Sequence, residues 1–194
     1  MSYRLLLVGP PGAGKGTQAE LLCEYLEIPA VSTGAIFREH TAAGDELGQL
    51  ADSFTSRGEL VPDDVTNRMV DVRLDCEDVT GGFLLDGYPR NVDQVHALDR
   101  LLAARNWTLD AVVLLHADDE VVVERLLGRA ATEGRKDDTE KVIRHRIALY
   151  HETTQPLLDL YRERGIVLDV DGVGTVEEVA ERIRTTLEDF AASR

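Results

Sequence analysis

"GPPGAGKGTQ", residues 9–18, follows directly on the apolar run "RLLLV" of residues 4–8. A short apolar run that ends in Gly and Pro suits a strand buried on both faces. Past the glycines, Ala19, Leu22, Cys23 and Leu26 recur at helical spacing, so a helix is predicted over 15–26. Strand, glycine-rich turn and helix in that order predict a phosphate-binding loop. Gly12, Gly14 and Gly16 let backbone N–H groups curl around an anion, the helix adds its positive end, and Lys15 supplies a mobile cation. One letter departs from the general pattern G-x-x-x-x-G-K-[ST], whose last hydroxyl reaches Mg²⁺. Here Gly16 follows Lys15, and the hydroxyl comes one place late, at Thr17.

Downstream, short apolar runs alternate with amphipathic stretches. Strands are predicted at 28–32, 81–87, 110–117 and 165–172. Helices are predicted at 33–43 (capped by Thr33-Gly34), 44–57, 63–76, 91–105 (capped by Asn91), 118–128, 139–163 and 175–191, with a polar loop over 128–138. This alternation is the signature of an α/β fold with a parallel sheet covered on both faces. Ligands in such sheets sit at the carboxyl ends of the strands. The glycine loop, Ser32-Thr33-Gly34 and Asp86-Gly87 all fall at those ends.

With 194 residues, 43% of them hydrophobic, the chain is long enough for one domain with a substantial core. A net charge of −15 argues against nucleic-acid and anionic-membrane partners and suits a soluble cytoplasmic protein. No basic segment with an apolar core opens the chain, and no apolar stretch approaches membrane-spanning length. Cys23 and Cys76 show no ligand spacing and are expected as buried free thiols. His40, His96, His116, His145 and His151 are scattered without a nucleophile, and Trp107 reads as a packing residue.

The cations carry more information. Lysine occurs only at 15, 136 and 141, so 18 of the 21 basic residues are arginine. Arg38, Arg90, Arg129, Arg135 and Arg146 fall at loops or helices adjoining the phosphate edge. An acidic chain that gathers guanidinium forks on one rim suits phosphoryl transfer, which depends on positioning and charge neutralisation. In "LLDGYPR", 84–90, Asp86 ends an apolar strand, where a carboxylate reaches Mg²⁺ directly or through water. Gly87 allows close approach of backbone to ligand, and Pro89 stiffens the turn that aims Arg90.

"GPPGAGKGTQ", "STGAIFR", "GELVPD", "LLDGYPR", "GR…GRKDD" and "RHR", in this order along the whole chain, resemble adenylate kinase in its short-lid bacterial form. The resemblance implies the P-loop nucleoside-monophosphate kinase fold, a five-stranded parallel sheet flanked by helices. It implies a core of 1–31, 62–129 and 137–194, a helical monophosphate-binding insert at 32–61 and a short lid at 130–136. The implied reaction is MgATP + AMP ⇌ 2 ADP. Gly12, Ala13, Gly14, Lys15, Gly16 and Thr17 would hold ATP phosphates, and Gly174 would offer a carbonyl to the ATP base. Arg129 would lie over the ATP base and phosphates. Thr33, Arg38, Glu59, Leu60, Val61, Gly87, Tyr88, Pro89, Arg90 and Gln94 would form the AMP pocket, with Gln94 pairing with the adenine edge. Arg135 and Arg146 would clamp the reacting phosphoryls, Asp86 would hold Mg²⁺ through water, and Asp137 and Asp138 would support the arginines.

The short "AATEG" stands where longer lids carry zinc ligands, and neither cysteine lies there, so no structural zinc is expected. A UMP/CMP kinase shares this scaffold, and a non-catalytic nucleotide-binding module shares the loop. Thr33 and Gln94 favour adenine over pyrimidines, and the retained Lys15 and arginines favour catalysis. ATP, AMP and ADP are the expected partners, and a monomer is the expected state.

Overall fold

The computed structural model describes residues 3–133 and 139–193. Five parallel strands form one sheet in the order β2-β3-β1-β4-β5. They are β1 (Arg4–Val8), β2 (Ala30–Ser32), β3 (Phe83–Asp86), β4 (Ala111–His116) and β5 (Val167–Asp171). The first strand lies at the centre, paired on one side with β3 and on the other with β4.

Period-2 alternation sorts the strand side chains onto two faces. Leu6, Val8, Phe83, Leu85, Val112 and Leu114 face one core. There they pack against Val70 and Leu74 of α4 (Asp63–Leu74), Val95, Leu98 and Leu102 of α5 (Val92–Ala104), and Tyr161 of α8 (Leu157–Glu163). Leu5, Leu7, Leu84, Val113 and Leu115 face the other core, against Leu22 of α1 (Lys15–Leu26) and Val179, Ile183 and Leu187 of α9 (Val176–Ala192). A near-continuous apolar strand such as "RLLLV" is therefore what a doubly covered sheet requires.

Two smaller cores stand apart from the sheet. Phe37 of α2 (Thr33–Ala43), Ala51 of α3 (Glu46–Thr55) and Val61 form one. Val122, Val123 and Leu126 of α6 (Asp119–Glu133) with Ile143 and Ile147 of α7 (Glu140–Leu149) form the other. Gly48 lets α3 approach α2 so closely that a β-carbon there would overlap the carbonyl of His40.

Several sequence expectations need correction. Ser32, not Thr33-Gly34, caps α2, its Oγ accepting from Ala35 N at 3.4 Å. The helix predicted to stop at 128 continues to Glu133, because Ala, Arg and Glu are strong helix formers and one glycine is tolerated. Residues 130–133 therefore continue that helix, where the sequence suggested a loop. The remainder of that segment, with Arg135, Asp137 and Asp138, lies outside the described residues. The long helix predicted over 139–163 is divided by a π-helical turn, Tyr150–Thr154. Cys23 is buried as expected, but Cys76 is exposed beyond the end of α4. A 3₁₀ turn at Glu77–Val79 lies between the helix predicted to end at 76 and the strand predicted from 81.

Candidate active site

Backbone geometry prepares the loop for an anion. Gly14 caps α1 in the left-handed conformation, φ 91°, and among the described residues the start of that helix has no side-chain cap bond. Gly12 also has positive φ, 84°, and a β-carbon there would lie 2.9 Å from the carbonyl of Val122 and from the side chain of Leu126. The loop is thus seated directly on α6. Ala13 is buried, whereas Gly16 and Thr17 are exposed and Gly16 has open space around it.

Lys15 turns back over this loop, its Nζ donating to Gly9 O at 2.8 Å and Pro10 O at 2.9 Å. Burial lowers its pKa to about 8. The Asp86 carboxylate opposes that shift, while Arg90, Arg146 and Arg129 add to it. Burial also lowers the Arg90 guanidinium from its ordinary value, with Arg146 adding and Asp86 opposing. These charges form one electrostatic group around the carboxyl ends of β1 and β3.

Two cavities open there. One, about 80 Å³, is lined by Lys15, Pro11, Tyr88, Pro89 and Tyr150. The other, about 270 Å³, is lined by Thr33, Arg38, Glu59, Val61 and Gln94. Gly58, Leu60, Gly87, Arg90 and Arg146 line both. Two compartments therefore meet across two guanidinium groups.

The segment "DGYPR" is fixed from several sides. Asp86 accepts from Ser32 Oγ at 3.2 Å, and Gly87 O accepts from Thr33 Oγ1 at 3.0 Å and Arg90 Nε at 2.8 Å. Gly87 has φ 80°, and a β-carbon would crowd Thr33 Oγ1 at 2.8 Å. Arg90 O accepts from Thr154 Oγ1 at 2.8 Å, so the π-helical turn that follows the Arg146 helix also holds the Arg90 backbone. The Tyr88–Pro89 peptide is cis. Glu59, which lines the second cavity, accepts from Arg57 at 3.1 Å, and that guanidinium holds its carboxyl below the usual range.

Of the residues expected to hold ATP, Lys15 lines the smaller cavity, whereas Gly12, Ala13, Gly14, Gly16, Thr17, Arg129 and Gly174 line neither. Gly174 lies in the turn between β5 and α9, with φ 140°, and a β-carbon would lie 2.7 Å from Glu178 Oε2. That turn reaches the glycine loop at Gly172, where a β-carbon would lie 3.5 Å from Ala13 O. Arg125 also reaches it, both terminal amino groups donating to Gly172 O at 3.2 Å. Sequence reading overlooked Arg125, although its spacing four residues before Arg129 places both on one face of a helix. Asp63 was overlooked too; it joins Gln94 and Asn91 beside the larger cavity. None of the five histidines lines either cavity. His40, His116 and His151 make surface pairs with Asp45, Asp169 and Asp119.

A parallel sheet of this order, a glycine loop carrying lysine at its centre and a second cavity under a helical pair define a P-loop kinase of nucleoside monophosphates. The adenylate kinase family model matches residues 7–166. Adenylate kinase of Kocuria rhizophila is 57% identical over 95% of this chain and 98% of its own length. Those of Nocardioides sp. and Thermobifida fusca are 54% and 50% identical, covering 95% and 97% of this chain and 97% and 100% of theirs. The chain belongs to the adenylate kinase family, and it is an ATP:AMP phosphotransferase.

The Lys15 environment gives an expected pH response. With a pKa of about 8, the ligand-free lysine is charged below that value and loses its proton as pH rises through it. Bound phosphates favour the charged form. Thus kcat/KM for ATP should fall above pH 8 while kcat stays level to higher pH. Parallel profiles for the two constants in a pH series would contradict this.

Proposed function

We propose that the smaller cavity with the glycine loop receives the ATP phosphates, and that the larger one receives AMP. The observation that carries this reading is the pair of cavities joined at Arg90 and Arg146. In-line transfer needs donor and acceptor phosphoryls on either side of one positive field. Lys15, Arg90, Arg129 and Arg146 supply that field, and Arg135 is assigned to it by the family resemblance alone. The N–H groups of Gly12 to Thr17 hold the donor phosphates. Arg129, Arg125 and the turn through Gly174 flank the ATP base. Thr33, Arg38 and Gln94 address AMP, and Glu59, Leu60 and Val61 wall its base.

Asp86 fits a hydrated Mg²⁺. It is one carboxylate at a strand end, oriented by Ser32 and facing Lys15, and Mg²⁺ commonly takes one or two carboxylates with phosphates and waters. Bound there, Mg²⁺ would neutralise charge on the transferring phosphoryl. The protein's own part is to orient both phosphoryl groups and exclude water, which otherwise would turn transfer into hydrolysis. The separate cores of the α2–α3 insert and the α6–α7 pair support assigning closure to those two units. No described helix is long and apolar enough to cross a membrane. Two free cysteines and the strong negative charge support a cytoplasmic location, and a monomer is assigned by the family resemblance alone.

Turnover with AMP, UMP, CMP and GMP in wild type and Thr33→Ala tests the pocket assignment. Wild type should prefer AMP, and the variant should lose roughly 1 kcal/mol or more of that preference with KM for ATP unchanged. Unaltered discrimination in Thr33→Ala would remove that residue from the pocket.

A further inference from the structure

Gln94 is held by two neighbours of opposite character. Its Nε2 donates to Asp63 Oδ1 at 2.7 Å, and its Oε1 accepts from the backbone N–H of Arg90 at 2.7 Å. An ionised carboxylate can only accept, and a backbone N–H can only donate. Turning the amide over would set oxygen against carboxylate and NH₂ against N–H. Gln94 is 2% exposed, so water cannot relieve either mismatch. Asp63 is itself fixed, its two carboxylate oxygens accepting from Asn91 Nδ2 at 3.0 and 3.1 Å. Asn91 Oδ1 accepts from Gln94 N at 2.8 Å, which closes the network.

We infer that Asp63 is a positioning residue for nucleobase choice: it fixes the direction of the Gln94 amide and so lets the larger cavity accept a 6-aminopurine and refuse a 6-oxopurine. After its two fixed bonds, the amide retains one N–H and one oxygen lone pair. Adenine offers an acceptor at N1 beside a donor at N6. Hypoxanthine and guanine offer the reverse, a donor at N1 beside an acceptor at O6. A glutamine able to turn over would serve either edge; one held by Asp63 serves a single order. This rests on the reading of Gln94 as the base-facing residue.

The test measures kcat and KM for AMP and for IMP, with ATP as donor, in wild type, Asp63→Asn, Asp63→Glu and Gln94→Leu. Asparagine is isosteric but can donate or accept, so the carboxylate restraint is removed and only the Arg90 N–H still opposes a turned amide. The AMP-to-IMP ratio of kcat/KM should fall about tenfold to a hundredfold in Asp63→Asn. The change should lie in KM, with KM for AMP rising and KM for IMP falling, and KM for ATP constant. Asp63→Glu, which restores an accept-only group, should recover part of the ratio. A parallel loss for AMP and IMP would mean a merely structural role and overturn the inference. If Gln94→Leu abolishes the preference while Asp63→Asn leaves it intact, the base reading stands and the inference fails. If Gln94→Leu leaves the ratio unmoved, both fail. A measurement on the unaltered protein stands beside these: the Gln94 side-chain amide protons should exchange slowly with solvent by NMR, and rapid exchange would contradict the fixed amide.

Discussion

Replacing Lys15 by Met should lower kcat by about 10²–10³-fold, a loss of roughly 3–4 kcal/mol of transition-state stabilisation, while the fold remains intact. A positive charge aimed at a transferring phosphoryl group acts mainly where negative charge develops, so kcat should suffer more than KM. Stability should move the other way or not at all. Burial already penalises the charged form of Lys15, as its lowered pKa of about 8 shows. Methionine of similar length removes that penalty and gives up two bonds to Gly9 O and Pro10 O. Thermal unfolding by circular dichroism, run beside a coupled assay, separates the two effects. Near-normal turnover would remove Lys15 from the transfer step, and loss of the melting transition would show that it acts through the fold.

The second large effect is expected at Gly48, far from the phosphates. A β-carbon there would overlap the His40 carbonyl, so Gly48→Ala must push α3 away from α2. Overpacking of this kind costs about 1–3 kcal/mol where side chains can adjust, and backbone carbonyls adjust less. The displacement would also strain the bond that links the helices, Thr41 Oγ1 to Gly48 O at 3.2 Å, and the cap of α3 itself, Gly48 N to Asp45 Oδ1 at 2.8 Å. Because α2 and α3 wall the larger cavity through Phe37, Arg38, Asp52 and Thr55, KM for AMP should rise roughly tenfold or more. KM for ATP should change little, since the glycine loop belongs to a different core. Hydrogen exchange should quicken over residues 33–55 and not in the strands. A uniform loss of protection would show that the insert and the sheet unfold as one unit.

Most of the architecture was legible because its signals are local. "RLLLV" followed by glycine, proline and lysine specifies strand, loop and helix from neighbours alone. The apolar runs at 110–117 and 165–172 contain strands that begin one or two residues inside the expected limits. What escaped depends on contacts distant in sequence. Asp63 looked like an ordinary acid in the first turn of a helix, and only the packing of α4 against α5 brings it to Gln94, 31 residues away. Arg125 looked like one of many surface arginines until its helix was laid beside Gly172, 47 residues on. The π-helical turn escaped for a related reason. Nothing in "YHETT" forbids regular helix, and the turn places Thr154 where its hydroxyl meets the Arg90 carbonyl, 64 residues away.

The two arginines that line both cavities have a consequence for the direction of the reaction. ATP with AMP and two molecules of ADP carry the same set of phosphates, divided differently between two compartments. With Arg90 and Arg146 at the boundary, a phosphoryl group moving between the proposed donor and acceptor cavities would leave one half without leaving the reach of the guanidinium charges. Neither distribution should then be strongly favoured over the other while bound. The balance on the protein should therefore lie near unity, and supply and removal of nucleotides then decide which way it runs.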